Sequence, residues 1–162
     1  MLQVMDAVSK IGMGAVSFES AFMAQRVAQR AEIDQLGHVN NAVYLHWVQD
    51  VALEHWYLLA PQEMQERIIF VVLRHEIDYR EPILEGEAVE LRTWLGEIKG
   101  PRLPRYVDIR KKGAKRFAAR SLTTWCMLDI KTRRPKRVGE DVFTAFGLPK
   151  PSQDKVVHGG DG

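Results

Sequence analysis

The sequence lacks most features that mark secreted, membrane or nucleic-acid-binding proteins. Its single cysteine, Cys126, excludes an intramolecular disulfide, and its position in an apolar, strand-like segment predicts a core residue. No apolar run approaches the roughly 20 residues that span a bilayer. Asp6 and Lys10 interrupt the pattern that a signal peptide requires. The formal net charge is only +2, too small for a general polyanion-binding surface. We therefore expect a cytoplasmic protein with neither membrane nor nucleic-acid partners.

The length predicts one compact domain. The chain has 162 residues, of which 46% are hydrophobic, so it can bury a core without disulfides. Patterned sequence occupies residues 15–148, and we find no internal repeat. Residues 1–14 and 149–162 have little pattern, and we expect them to be flexible.

One segment has the pattern of a long, mostly buried helix. In residues 42–59 the polar side chains recur at steps of three and four, and apolar side chains fill the rest of the circumference. Pro61 follows and helps to end the helix. Because the polar stripe is narrow, other structure must wrap this helix, which predicts that it lies at the centre of the domain.

The other patterned segments are predicted strands. Residues 18–31 precede the helix and are rich in Val, Phe and Met without a helical period. After the helix, turn-forming residues separate four further segments, at 71–80, 88–97, 106–112 and 117–129. This order predicts an α+β fold in which a five-stranded antiparallel sheet is wrapped around one long central helix. Because such a sheet has exposed edges, we expect a homodimer or homotetramer.

The segment between the first strand and the helix is rich in chemically active residues. It reads E-I-D-Q-L-G-H-V-N-N-A-V-Y from Glu32 to Tyr44. This resembles the D-x-x-G-H-V-N-N-x-x-Y signature of hotdog-fold thioesterases, in the branch that acts on 4-hydroxybenzoyl-CoA and long-chain acyl-CoA. Residues 79–87 and 129–138 are similar to the family's Y-x-x-P-x-x-x-G-D segment and its closing turn. The resemblance extends over roughly residues 18–146 and implies the hotdog fold.

The resemblance implies a role for each matching residue. Asp34 corresponds to the catalytic carboxylate, and Gly37 to a backbone N–H donor for the thioester carbonyl. Tyr44 corresponds to a helix residue that lines the acyl pocket. For His38 we favour a supporting catalytic role, with a catalytic base, a donor to the carbonyl or an interfacial histidine as alternatives. Asn41 is expected either beside the substrate or behind the residues that contact it. The family uses no metal or cofactor, and we expect none here.

The motif departs from the family at three positions. Glu32 stands where much of the family has a first Asp, and Asn41 stands where one sub-branch has a His. Leu36 replaces the catalytic Asn of the related plant acyl-ACP thioesterases, which puts a direct copy of the plant mechanism in doubt. Residues 125–134 are nevertheless similar to those plant enzymes, so the sequence leaves acyl-CoA and acyl-ACP open as substrates.

These residue types suit the hydrolysis of a thioester. The leaving thiol has a pKa of about 8.5, so the reaction mainly needs a base or nucleophile and a site that stabilises the oxyanion. Asp34 can attack directly or orient a water, and the sequence leaves these two roles open. Gly37 and the free N–H groups at the start of the helix can stabilise the oxyanion, assisted by the helix dipole.

Other polar residues have simpler interpretations. Asn40 is expected to cap the helix, and Glu54 to lie on its solvated stripe. His75 is expected to be a core or interface residue, because no second ligand stands beside it at metal-binding spacing. Five cations lie in residues 131–137. We predict that Arg133 and Arg134 in this run bind the phosphates of CoA or phosphopantetheine, with an ordinary solvated turn as the alternative.

Two other functions are compatible with the same fold. Hotdog-fold enoyl-thioester hydratases resemble D-x-N-P-x-H, with Asp and His five residues apart, whereas Asp34 and His38 are four apart without Asn-Pro. A non-catalytic acyl-binding protein is expected to lack the carboxylate, which is present here. Thioester hydrolysis is therefore the function that the sequence favours.

Overall fold

The computed structural model of the protein describes residues 17–151. The long helix α1 spans Asn41–Leu59, and two short helices follow at Gln62–Arg67 (α2) and Glu140–Ala145 (α3). The five strands are β1 (Phe22–Val27), β2 (Ile68–Tyr79), β3 (Ala88–Leu95), β4 (Arg102–Lys111) and β5 (Ala119–Asp129). None of the helices in this described part is long and apolar enough to cross a membrane. The flexible ends predicted for 1–14 and for most of 149–162 lie outside the described residues.

The strands form one antiparallel sheet in the order β1-β3-β4-β5-β2. Helix α1 packs against one face of this sheet and buries Trp47, Val51 and Trp56. This confirms the predicted α+β hotdog arrangement, with one long helix enclosed by five strands. Strands β1 and β2 form the two edges.

Helix α1 and strand β2 run in opposite directions, which gives the molecule two distinct ends. At one end the Tyr79 hydroxyl, from the last residue of β2, donates to the Asn41 carbonyl at the start of α1 (3.1 Å). Tyr79 also pairs with Ala119, the first residue of β5. We call this the motif end. The opposite, far end holds the pair Ile68 and Asp129.

Two features of the fold were not predicted. Helices α2 and α3 are each six residues long, too short to produce a clear period in the sequence. Strand β4 begins at Arg102, four residues before the predicted start, and contains Pro104. The ladder with β3 ends at Arg105, so Pro104 lies where β3 requires no N–H from it.

Candidate active site

Asp34 lies in a tight turn between β1 and α1. A bridge between Ile33 and Val39 closes the turn. Asp34 Oδ1 accepts hydrogen bonds from the backbone N–H groups of Leu36 (2.8 Å) and His38 (3.4 Å). Oδ2 has no donor among the described residues, and the side chain is half-buried. One carboxylate oxygen therefore stabilises the turn, and the other is available for chemistry.

Gly37 and His38 hold the Asp34 turn through their backbones. The Gly37 N–H donates to the Asp34 carbonyl (3.0 Å), and the Asp34 N–H donates to the His38 carbonyl (2.8 Å). Gly37 has φ +79°, a backbone conformation that glycine adopts without strain. The N–H predicted as an oxyanion donor is therefore already engaged within the turn. The half-buried His38 imidazole makes no hydrogen bond to residues 17–151.

The start of α1 offers a different N–H group. Asn40 Oδ1 accepts from the Ala42 N–H (2.9 Å), which confirms Asn40 as the helix cap. The next residue, Asn41, is exposed, and its N–H has no acceptor in the described part of the chain. The first N–H groups of a helix point outward from its N-terminus, which is the positive end of the helix dipole. The structure thus presents an unpartnered donor at a site suited to negative charge.

Glu32 connects the turn to α1, a role that the sequence did not reveal. Its Oε1 accepts from the Trp47 indole N–H (3.1 Å), and its carbonyl accepts from the Asn40 N–H (2.9 Å). Its Oε2 accepts from the Gln29 N–H (2.8 Å). The carboxylate therefore holds the Asp34 turn against the side of the helix. The available signal was its place in the motif, where much of the resembled family has an Asp.

Tyr44, in the first turn of α1, is buried where the helix faces β2. Its ring packs edge-on against Tyr79 (5.3 Å between centroids) and tilted against Trp47 (5.7 Å). Burial raises the pKa of the Tyr44 hydroxyl. This residue fixes the start of the helix against the sheet, and it lines neither of the two cavities described below.

Arg133 and Arg134 lie in an exposed turn at the far end. Asp129 Oδ1 accepts from the N–H groups of Lys131 and Thr132 (both 2.9 Å), and the Thr132 contact is the main cause that lowers the pKa of Asp129. The 11 residues of β5 separate this turn from the motif end, a span of about 35 Å. Within one chain, Arg133 and Arg134 therefore lie far from Asp34.

A different group of cations lies at the motif end, and the sequence analysis missed it. Four cations line an open depression of about 560 Å³, namely Arg80, Arg110, Lys115 and Arg116, together with Glu81 and Phe117. We call these four cations the hairpin cluster. They come from the end of β2, from β4 and from the β4–β5 turn, so no local run in the sequence signals them. Arg110 is ion-paired with the buried Asp108 (2.6 Å), and this contact raises the pKa of Arg110.

Three further predicted residues lie outside the Asp34 turn. His75 is half-buried, its Nδ1 is 2.8 Å from Thr123 Oγ1, and burial lowers its pKa. Glu54 forms an ion pair with Arg26 on the surface. Cys126 is buried, which confirms it as a core residue.

Comparison with known proteins gives one family and many similar folds. The profile of the Thioesterase-like superfamily matches residues 29–146. Among curated proteins, none matches the sequence significantly.

Three solved structures illustrate the similarity of fold. A 1,4-dihydroxy-2-naphthoyl-CoA thioesterase from Synechocystis has a TM-score of 0.68 and 16% identity, over 78% of this chain and 95% of that one. The probable thioesterase YbaW from Escherichia coli has a TM-score of 0.67 and 22% identity, over 77% of this chain and 96% of that one. A predicted thioesterase from Bacillus stearothermophilus has a TM-score of 0.68 and 23% identity, over 80% of this chain and 98% of that one.

Proposed function

We propose that this chain, which belongs to the thioesterase-like superfamily, hydrolyses acyl-CoA thioesters through Asp34. The family match includes the Asp34 turn, helix α1 and strands β2 to β5. One observation carries the proposal. At the motif end, one oxygen of Asp34 accepts no hydrogen bond from the described residues. The same turn leads directly into the start of α1, where the Asn41 N–H has no acceptor among them.

The chemistry follows from the unengaged Oδ2 of Asp34. As a nucleophile, Oδ2 attacks the thioester carbonyl carbon, the C–S bond breaks, and the thiolate takes a proton from water. A second water then hydrolyses the resulting mixed anhydride and restores the carboxylate. As a general base, Oδ2 instead takes a proton from the water that attacks the carbonyl. Both routes need Oδ2, and both leave Oδ1 to stabilise the turn.

We assign the first oxyanion contact to the Asn41 N–H. It is unpartnered and stands at the positive end of the 19-residue helix α1. Gly37 has a different role in this proposal. Its N–H donates to the Asp34 carbonyl and so keeps the carboxylate in place. His38 supports the same turn from the other side.

The hairpin cluster is our candidate for binding the phosphates of CoA. Its depression has room for a nucleotide and lies at the same end of the molecule as Asp34. Arginine pairs with phosphate oxygens through two parallel hydrogen bonds. Arg133 and Arg134 can contact the same substrate only from a second copy of the chain, because β5 separates them from Asp34 within one copy.

A second copy is also part of the proposal. Within residues 17–151, strand β2 pairs with β5 on one side only, and its other edge has no partner strand. On this strand Val71 is 38% and Leu73 51% exposed, and Leu53 on the adjacent helix is 38% exposed. Apolar side chains beside an open strand edge favour pairing with another sheet. We therefore propose an even-numbered homo-oligomer that is built through β2.

A panel of acyl-CoA esters, scored by release of free thiol, tests the proposed activity. We expect hydrolysis of at least one ester with a kcat/KM in the usual enzymatic range, about 10⁴ M⁻¹s⁻¹ or higher. Crotonyl-CoA hydration is measured in parallel to test the hydratase alternative. Hydration without thiol release would contradict the proposal, and so would binding of esters with no turnover.

A further inference from the structure

A small apolar pocket with a cavity volume of about 20 Å³ lies between α1 and the sheet, toward the far end. Four aromatic rings line it, those of Trp56, Phe70, Trp125 and Phe146. Leu53 lines it as well and is partly exposed. The walls are suited to hydrocarbon, since they are built almost entirely from aromatic and aliphatic side chains.

One charged side chain lines this apolar pocket. Arg105 is only 3% exposed, and no carboxylate of the described residues forms an ion pair with it. Its Nη1 donates to His55 Nδ1 (3.0 Å) and to Thr93 Oγ1 (3.1 Å). Its Nε and Nη2 have no acceptor in the described part of the protein. Desolvation lowers the pKa of Arg105 to about 9, so the group is still a cation at neutral pH.

Two more donors near this charge also have no acceptor. The Trp125 indole N–H is buried and has no partner within residues 17–151, and the residue lines the pocket. Because His55 Nδ1 accepts from Arg105, the His55 proton must be on Nε2, which is likewise buried and unpartnered. Buried polar groups in native proteins almost always have a partner, and an unpaired buried charge is costly. The Nε and Nη2 of Arg105, the His55 Nε2 and the Trp125 indole N–H are thus donors without an acceptor among the described residues, a set that suits an anion.

Arg105 and Trp125 are close enough to donate hydrogen bonds to the same acceptor group. In the β4–β5 pairing, Arg105 is opposite Thr123 and Leu103 is opposite Trp125. The two residues are therefore diagonal neighbours on the helix-facing side of the sheet, about 7–8 Å apart between their Cα atoms. A group between them can accept from both side chains.

The pocket lies in line with the Asp34 turn. One ridge of α1, formed by Asn41, Leu45, Gln49 and Leu53 at four-residue steps, runs from the motif end to the pocket, and each of these residues is at least partly exposed. The 12 residues from Asn41 to Leu53 correspond to about 18 Å of helix. An extended chain advances about 1.2 Å per bond, since three backbone bonds span at most about 3.6 Å. An acyl chain of roughly 15 carbons therefore covers this distance.

We propose that this pocket binds the distal end of a long acyl chain and that this end carries a carboxylate, held by Arg105 and Trp125. The inference rests on the proposed function, because it takes the acyl carbonyl to lie at Asp34. The substrate class is then the monothioester of a long-chain dicarboxylic acid. The unpaired Nε and Nη2 of Arg105 form the edge of the guanidinium that binds a carboxylate in two parallel hydrogen bonds.

Three CoA esters of equal chain length test the proposal on the full-length protein. They are hexadecanedioyl-CoA, 16-hydroxyhexadecanoyl-CoA and hexadecanoyl-CoA. We expect the carboxyl-ended ester to have a kcat/KM about 10- to 100-fold above the other two, mainly through a lower KM, because the contact is far from the reacting carbonyl. Equal values for the carboxyl and methyl ends would overturn the proposal. A hydroxyl end that performs as well as the carboxylate would overturn it too.

Two variants assign the preference to the pocket. Trp125→Phe keeps the ring and removes only the N–H, and we expect it to reduce the preference about 3- to 10-fold. Arg105→Met keeps most of the volume and removes the charge, and we expect it to abolish the preference without destabilising the fold. If Arg105→Met does not fold, Trp125→Phe decides the matter. A folded variant of either kind with the full wild-type preference contradicts the assignment.

A binding measurement separates this inference from the proposed function. Free hexadecanedioic acid and hexadecanoic acid are titrated into the wild-type protein and into Arg105→Met, with tryptophan fluorescence as the readout, since Trp56 and Trp125 line the pocket. We expect tighter binding of the diacid to the wild type only. This result requires no turnover. A preserved diacid preference with no thiol release refutes the thioesterase activity alone, whereas thiol release with no diacid preference in rate or binding refutes the pocket assignment alone.

Discussion

At the scale of single residues, the two oxygens of Asp34 have different tasks. Oδ1 accepts from the Leu36 and His38 N–H groups, and Oδ2 has no donor among residues 17–151. Asp34→Asn keeps an acceptor at Oδ1 and removes the charge and basicity. We expect kcat to fall by at least about 10²-fold, with a melting temperature close to that of the wild type. Thiol-release kinetics and calorimetry measure the two effects.

Asp34→Ala is the matched control for the structural task. It removes both turn contacts as well as the charge, so we expect the same loss of kcat and an additional loss of about 0.5–2 kcal/mol of unfolding free energy. An Asp34→Asn protein with a near-normal rate would show that the carboxylate only stabilises the turn.

His55 gives the fold a specific sensitivity to acid. The side chain is fully buried, and burial followed by the adjacent Arg105 charge lowers its pKa to about 3. The unfolded state has the ordinary pKa near 6.5, so it binds more protons than the folded state between these values. The stabilisation that comes from keeping His55 neutral is therefore fully present above pH 6.5. It is lost by up to about 1.4 kcal/mol of unfolding free energy per pH unit as the pH decreases toward 3.

Urea unfolding at several values between pH 7 and pH 4 measures this dependence. We expect His55→Gln to lose the part of the slope due to the imidazole, while His46→Gln, an exposed substitution on the same helix, leaves the buried imidazole in place as a control. Identical slopes for wild type and His55→Gln would show that the buried histidine does not contribute.

At the scale of elements, two exposed basic turns are alternative candidates for binding the phosphates of CoA. The β4–β5 turn with Lys115 and Arg116 is at the motif end, and the turn after β5 with Arg133 and Arg134 is at the far end. We expect Lys115→Ala/Arg116→Ala to raise KM for the CoA ester about 3- to 10-fold at low ionic strength, with kcat little changed. The effect should shrink as salt is added.

The matched variant is Arg133→Ala/Arg134→Ala, which removes the same number of charges. Because β5 separates this turn from Asp34 within one copy, we expect a smaller rise in KM than for the hairpin pair. An unchanged KM in the Lys115→Ala/Arg116→Ala protein at low salt would remove the hairpin cluster from the substrate site.

The same elements show what the sequence could and could not predict. Helix α1 and the Asn40 cap followed from local signals, namely a helical period and an acceptor side chain before it. The lack of a carboxylate beside Arg105 could not be predicted, because it depends on which side chains from other elements face this residue. The hairpin cluster is assembled from three segments and has no local signature. The Gly37 N–H was predicted to donate to the thioester carbonyl, whereas in the structure it donates to the Asp34 carbonyl within the turn.

At the scale of the whole molecule, β2 is the edge at which a second copy is expected. Eleven of its 12 residues pair with β5, its only partner strand among the described residues, and the remaining one, Leu73, lies at the irregularity between Val72 and Arg74 with half of its surface exposed. An open edge of this length with apolar side chains is an aggregation hazard unless a partner covers it. We expect a dimer or a larger even-numbered assembly by light scattering at micromolar concentration.

Leu73→Lys is the change that tests this edge. A charge on an edge strand opposes pairing with another strand, so we expect the variant to be monomeric and folded. The proposed thioesterase activity should fall as well, because the pocket beside Leu53 and Phe70 borders the same edge, which the proposed partner would cover. Val27→Lys, on the opposite edge strand β1, places the same charge at a comparably exposed position and is expected to leave the assembly intact. A wild-type protein that is monodisperse, monomeric and fully active would refute both the β2 interface and the dependence of the site on it.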